Sequence, residues 1–261
     1  MPSLNSALES FAKPLLMLGI DPRKMVSVKQ YPLYRQQRNE WRKQGGTISH
    51  NYMILSDYED SAGTAKGHYF HQDLLVAGFV AQDRPDRHVD IGSRIDGFVA
   101  HVAAFRKIEV IDIRPLGESI HGNITFLQAD LMRPGEIGTT DSLSCLHAIE
   151  HFGMGRYTDP IDVDGHIKGI KNLVKLVEPG GRLYLSFPIG MDNEVHFNAH
   201  RVFDPEWIET VPAIANKMKL VRFDYVDDEG NLHTDKPVRD AVGKTRFGCG
   251  IYTFEKSGSE D

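Results

Sequence analysis

From His88 to Phe254 short β-rich runs alternate with longer helical ones: HVDIG, FVAHVAAF, EVIDI, ITFLQAD, DSLSCLH, HIKGIKNLVKLV, RLYLSFP, a segment around PEWIETVPAIANKM, LVRFDYV and CGIYTFEK. This alternation constrains the fold more than any other feature, because strands joined through helices lie parallel and need helices on both sheet faces. Crossovers are then right-handed. The expectation is an α/β fold with a mostly parallel, seven-stranded, helix-flanked sheet. Its last two runs should include an antiparallel edge strand, since no long helical stretch separates LVRFDYV from CGIYTFEK. Ile167, Ile170, Leu173, Val174 and Val177 form one helical stripe that packs on the sheet. Pro179-Gly180-Gly181 predicts a helix stop and a turn before a strand from Arg182.

Residues 1–85 read differently, as an N-terminal helical extension that supplies a lid, with the α/β domain over 86–261. The extension has a helical start (LNSALESFAKPLLMLG), a Tyr31-Pro32 break, a basic stretch Arg35–Lys43, a turn at Gly45-Gly46 and a helix over Tyr69–Gln82. The chain has 30 Lys and Arg against 36 Asp and Glu, a net charge of −6, which offers no global attraction to nucleic acid or an anionic membrane. Arg35, Arg38, Arg42 and Lys43 therefore read as a solvated helix face, and the expected partner is a small molecule. The two cysteines, Cys145 and Cys249, sit in apolar strand-like runs, so neither a disulfide framework nor a four-cysteine zinc site is available. The apolar stretch from Phe11 to Ile20 is broken by Lys13 and Pro14, and no run approaches the roughly 20 apolar residues of a membrane helix. A cytoplasmic protein without a membrane span is expected.

The run His88-Val89-Asp90-Ile91-Gly92-Ser93-Arg94-Ile95-Asp96-Gly97 joins the first strand to a helix. Glycine in such a turn lets backbone approach a ligand, and the helix start aims free N–H groups at it. Three ligands compete. A phosphate loop needs Lys after its second glycine, where Phe98 stands. A dinucleotide turn needs glycine where Arg94 stands. An S-adenosylmethionine turn carries an acid at the strand end and glycine two positions on, which Asp90 and Gly92 match. Asp112 ends EVIDI about 20 residues after Gly92, where a second strand delivers a carboxylate to ribose hydroxyls. Asp130 ends ITFLQAD, where a third strand delivers an acid near the adenine. Three acids at successive strand ends are a stronger signal than any one, since a single one is commonly a turn residue.

Asp90–Gly97, Val110–Ile113, Phe126–Asp130, Leu146–His151 and Leu176–Leu183 together resemble the ordered motifs of class I S-adenosylmethionine-dependent methyltransferases, over residues 86–256. HVDIGSRIDGF, IEHFGMGRYTDPIDVDG and FNAHRVF are also similar to a poorly characterised branch of that superfamily found in glycan-synthesis settings. The resemblance implies a Rossmann-like methyltransferase fold and S-adenosylmethionine held by Asp90, Gly92, Ser93, Arg94, Asp112, Ile113, Asp130 and Leu131. It further implies O-methylation of a sugar or glycan precursor. Relatives often lay a segment such as Gly67–Asp73 over the methionine end, which adds Tyr69, with His68 and Gln72 behind it. The turn departs from the family pattern at Arg94 and Asp96, which replace its second and third glycines. That departure keeps open a catalytically inactive, methyltransferase-like binding module, with an NAD-dependent oxidoreductase as the further alternative.

His147-Ala148-Ile149-Glu150-His151 reproduces the H-x-x-E-H string of a zinc protease class, but that class needs the motif inside a helix, whereas DSLSCL before it reads as a buried strand. His151 has the ordinary pKa of a general base for a hydroxyl acceptor. Glu150 either orients it or joins His147 and His151 as candidate ligands of a divalent ion. After the fifth strand, His196 is a further catalytic candidate, and Asn198, His200 and Arg201 are candidates for the acceptor, because loops at the carboxyl edge of a parallel sheet form its ligand crevice. Asp159, Asp162 and Asp164 lack the spacing of a calcium loop and are expected to shape theirs.

Overall fold

The computed structural model describes residues 26–117, 121–133, 135 and 137–258; the helical start expected before Val26 lies outside them. The chain divides into two compact units between Thr64 and Ala65.

In the first unit, helix α1 spans Tyr31–Lys43, and Pro32 stands in its first turn, where the missing N–H costs no helical bond. Tyr31-Pro32 thus begins a helix. No residue of α1 is buried, and Arg35, Arg42 and Lys43 are exposed. The helix ends at a turn where Gly45 takes φ 86° and Trp41 Nε1 donates to the Thr47 carbonyl at 3.0 Å.

The second unit starts before helix α2, His68–Asp83, so this helix belongs with the sheet. The strands are β1 His88–Ile91, β2 Ile108–Asp112, β3 Ile124–Gln128, β4 Thr140–Leu146, β5 Val177–Ile189, β6 Glu194–His196, β7 His200–Val202, β8 Met218–Val226, β9 Leu232–His233 and β10 Gly248–Lys256. Among the described residues the main sheet has eight strands in the order β3-β2-β1-β4-β5-β10-β8-β9. Strands β1 to β5 pair in parallel, whereas β10 is antiparallel to both β5 and β8.

Three expectations change here. The strand count is eight, not seven: β9 is a two-residue strand that returns on β8 after the Asp227–Asn231 turn, too short for alternation to reveal. The antiparallel strand is internal, not at the edge. Gly248 to Phe254 is buried throughout, and a strand covered on both faces is shielded best with a neighbour on each side. Pro179–Gly181 lies within β5 rather than before it. Val177 already pairs with Thr140, and the register shifts before Ser142 meets Arg182. Gly180 turns with φ 77°, and a Cβ on Gly181 would come within 2.9 Å of the Asp141 carbonyl.

The cores follow the period of two along each strand. Leu183, Leu185 and Phe187 of β5 with Tyr252 and Phe254 of β10 face one side, where they meet Ile170, Leu173 and Val174 of the helix Gly165–Leu176. Tyr184, Cys249 and Ile251 face the other, against Val76 and Val80 of α2 and Phe98, Val99 and Val102. Each fully buried aliphatic side chain contributes about 1.5–3 kcal/mol. The strand order reverses between β1 and β4, and the crevice at such a switch point lies beyond the carboxyl ends of the strands.

Candidate active site

A cleft of about 350 Å³ opens at that point. Its walls come from the residues after β1 (Gly92, Ser93, Arg94), the end of β2 (Asp112, Ile113, Arg114), the segment after β3 (Ala129–Met132), the segment after β4 (His147, Ala148, His151, Phe152) and the first turns of α2 (Tyr69, Gln72, Asp73). Arg156, Tyr157 and Asp159 complete the rim.

The turn after β1 is held from beneath. Asp90 is fully buried, and its carboxylate accepts from the Ser93 N–H at 3.0 Å, the Ser93 hydroxyl at 2.7 Å and the Ser144 hydroxyl at 2.6 Å. Burial raises its pKa to about 6. With its oxygens so engaged, Asp90 supports the turn and does not line the cleft. Gly92 takes φ 75°, and a Cβ there would sit 2.9 Å from that of Ala148. Arg94 and Asp96, which stand where glycines were expected, form an exposed ion pair at 2.9 Å.

Asp112 stands at the cleft wall, and its carboxylate is occupied from one side: the Arg114 N–H donates at 2.8 Å, its Nε at 2.9 Å and its Nη2 also bonds. The Arg114 guanidinium lies 4.8 Å from the Tyr157 ring centre, a cation–π distance. Asp130 accepts the Met132 N–H at 2.8 Å and lines the cleft with Leu131. Asp73, in the first turns of α2, also lines the cleft, and burial raises its pKa.

The H-x-x-E-H string is not a helix. His147 follows β4 with φ 49°, and only Ile149–His151 form a short 3₁₀ turn. Glu150 is 1% exposed and does not line the cleft. Its Oε1 accepts from His147 Nδ1 at 2.8 Å and lies 3.8 Å from His151 Nε2, so the three candidate metal ligands are neighbours whose shared oxygen is already bonded to His147. Burial opposes charge on His147, but the Cys249 sulfur and the Glu150 carboxylate beside it hold its pKa above the ordinary value. His151 differs. Its Nδ1–H donates to the Ala199 carbonyl at 2.7 Å, and burial lowers its pKa. A neutral ring pinned through Nδ1–H presents Nε2 as a proton acceptor.

The segment after β5 is a hairpin, β6 with β7, rather than a loop. His196 is exposed on β6, paired with Glu194 at 2.6 Å, and does not line the cleft. Asn198 occupies the hairpin tip with φ 62°, a conformation Asn tolerates well. The His200 ring centre lies 6.5 Å from that of His151. Arg201 is 6% exposed, and its guanidinium donates to the carbonyls of Glu150 at 3.2 Å, Phe152 at 2.8 Å and Val163 at 3.4 Å. It ties the loop after β4 to β7 and does not reach the cleft. Asp159 shapes that loop by accepting the N–H groups of Gly153 and Tyr157.

Asp73, Arg114, Phe152, Arg156 and Tyr157 were not singled out by sequence. Arg114 sits two residues beyond Asp112, and the Arg156-Tyr157 pair lies within a quoted motif, but only the folded loops turn these side chains into one cleft.

A family model described as "Caenorhabditis protein of unknown function, DUF268" matches residues 137–226. No curated protein sequence matches the chain. Among solved structures, the [4+2]-cyclase SpnF aligns with a TM-score of 0.50 at 14% identity, covering 83% of this chain and 91% of that one. The N-methyltransferase NodS from Bradyrhizobium japonicum WM9, bound to S-adenosylhomocysteine, aligns at 0.49 with 13% identity over 73% of this chain and 88% of its own. The Burkholderia thailandensis 1,6-didemethyltoxoflavin-N1-methyltransferase aligns at 0.48 with 12% identity over 88% and 89%. The chain thus has a Rossmann-like α/β fold with a mostly parallel central sheet.

Proposed function

We propose that the cleft binds S-adenosylmethionine and that the chain transfers its methyl group to a hydroxyl of a sugar or glycan precursor. One observation carries this reading: the Gly92 turn, Asp112 and Asp130 come from three adjacent strands and meet at one cleft with His151 on its wall. The residues present fit the ligand. Asp112 retains acceptor capacity for ribose hydroxyls beside its bonds to Arg114, because a carboxylate offers about four lone-pair sites. Asp130, Leu131 and Ile113 suit the adenine. Gly92, Ser93 and Arg94 offer backbone to the methionine end, with Asp73 available for its ammonium and Tyr69 above.

S-adenosylmethionine supplies a sulfonium methyl: the acceptor oxygen bonds to this carbon as its bond to sulfur breaks, and S-adenosylhomocysteine leaves. The protein's task is alignment and exclusion of water. His151 takes the hydroxyl proton at Nε2, its Nδ1–H held by Ala199. Glu150 acts through His147 and is a positioning residue. The glycan class of acceptor rests on the sequence resemblance. Calorimetry with S-adenosylmethionine tests the binding, and Asp112→Ala should weaken it roughly 10- to 100-fold, the worth of a hydrogen bond to a charged group. A screen of nucleotide sugars with mass detection tests the transfer.

The second reading, a binding module or other catalyst on this fold, is favoured by the exposed Arg94–Asp96 pair in place of two glycines, and fold alone does not determine chemistry. Failure of S-adenosylhomocysteine to accumulate with cell extract as acceptor source, despite tight binding, would select it.

A further inference from the structure

We propose that His68, His147 and Cys249 form a binding site for a zinc-class divalent ion. The three residues come from distant parts of the chain: the start of α2, the left-handed position after β4 and the second residue of β10. One ligand atom from each lies within 4.8 Å of the others. Zinc bonds to nitrogen and sulfur measure about 2.0–2.3 Å, so closing on an ion requires only small side-chain shifts. The donor set of two imidazoles and one thiol also matches zinc in kind, since imidazole and thiolate together select it over hard cations.

Two further observations point to a ligand. His147 is 5% exposed at its side chain, and its Nε2 is buried without a hydrogen-bond partner among the described residues. An orphaned buried ring nitrogen has a cost that an ion would remove. Its other nitrogen, Nδ1, is bonded to the buried Glu150 carboxylate at 2.8 Å. A carboxylate behind a histidine fixes the ring and raises its basicity in metal sites. The His68 and His147 ring centres lie 5.3 Å apart with planes 5° from parallel, and the Cys249 S–H donates to Gln72 Oε1 at 3.7 Å, a contact that ion binding would replace.

Binding would release to solvent the Cys249 S–H proton and, where the His147 ring is charged, its Nε2 proton as well, leaving a thiolate and two neutral imidazoles on the ion. Three protein ligands leave a fourth tetrahedral position for water or an acceptor oxygen, the arrangement of catalytic rather than structural zinc. His147 belongs both to this set and to the cleft wall. A role for the ion beside the acceptor rests on the methyl-transfer reading; the site itself does not.

The test uses the purified full chain loaded with Co²⁺ in place of Zn²⁺. One ion per chain and a sulfur-to-cobalt charge-transfer band in the near ultraviolet are expected. The band should be lost in Cys249→Ser and kept in Cys145→Ser, the other buried thiol. Glu150→Gln should weaken ion affinity about 10- to 100-fold, and His68→Ala by at least as much. Circular dichroism establishes that each variant is folded. No band in the wild type, or a band that survives Cys249→Ser, would overturn the site; so would ion binding lost in His151→Ala but indifferent to His68→Ala. Calorimetry with S-adenosylmethionine on the same samples separates this result from the fate of the methyl-transfer reading.

Discussion

The Ser144 hydroxyl on β4 donates to the Asp90 carboxylate on β1 at 2.6 Å, joining the two strands on either side of the switch point beneath the Gly92 turn. Having given its one proton to Asp90, Ser144 accepts from His88 Nε2 at 3.3 Å, which leaves His88 Nδ1 to accept from the Ser142 hydroxyl at 2.8 Å. This buried chain of bonds has no slack member. Ser144→Ala leaves a carboxylate short of a donor and a ring N–H without an acceptor, and should lower stability by about 1–3 kcal/mol in urea unfolding.

The same network gives two opposite pH slopes. Burial raises Asp90 from 3.8 to about 6, so the folded chain holds this proton more tightly; its contribution is complete below pH 3.8 and is lost as pH rises through 6. Burial lowers His88 from 6.5 to about 3, so its contribution is complete above 6.5 and is lost as pH falls toward 3. Asp90→Asn removes the first slope only. Relative to wild type, the variant should gain stability as pH rises from about 4 to 7, by up to roughly 3 kcal/mol. Urea unfolding at several pH values checks this, and a pH-independent difference would show that Asp90 keeps an ordinary pKa.

Gly92→Ala places a side chain at φ 75° and within 2.9 Å of Ala148 Cβ. The strain is of order 1–3 kcal/mol, and relief requires the turn to move from the cleft wall. S-adenosylmethionine binding by calorimetry should fall at least tenfold while circular dichroism stays native.

His151→Ala should lower turnover about 10²- to 10⁴-fold with cofactor affinity nearly unchanged, because a base acts in the transition state. A wild-type rate on the true acceptor would remove His151 from the role and turn attention to His200, whose ring centre lies 6.5 Å from that of His151.

Arg201→Met should act on stability rather than on acceptor binding. Its guanidinium serves three carbonyls of the loop after β4, so thermal unfolding should shift downward while the acceptor KM of the folded variant stays near wild type. A raised KM with an unchanged midpoint would restore it to the substrate site.

The parallel sheet, the amphipathic helix over Gly165–Leu176 and the acids at the ends of β1, β2 and β3 were legible in the sequence. Each is a local pattern: apolar spacing sets which face is buried, and a strand end sets where a side chain can meet a ligand. Tertiary structure decided how those side chains are used. Asp90 and Arg201 look like binding groups in the sequence, but partners about 40 to 55 residues away, Ser144 and the carbonyls of Glu150, Phe152 and Val163, engage them inside the fold. The converse holds for Cys249, an apolar-run cysteine by sequence. Pairing of β10 between β5 and β8 brings it, over about 100 to 180 residues of chain, beside His147 and His68. Local sequence encodes what a residue can donate, accept or bury; only the closing of distant strands and helices determines which groups it meets.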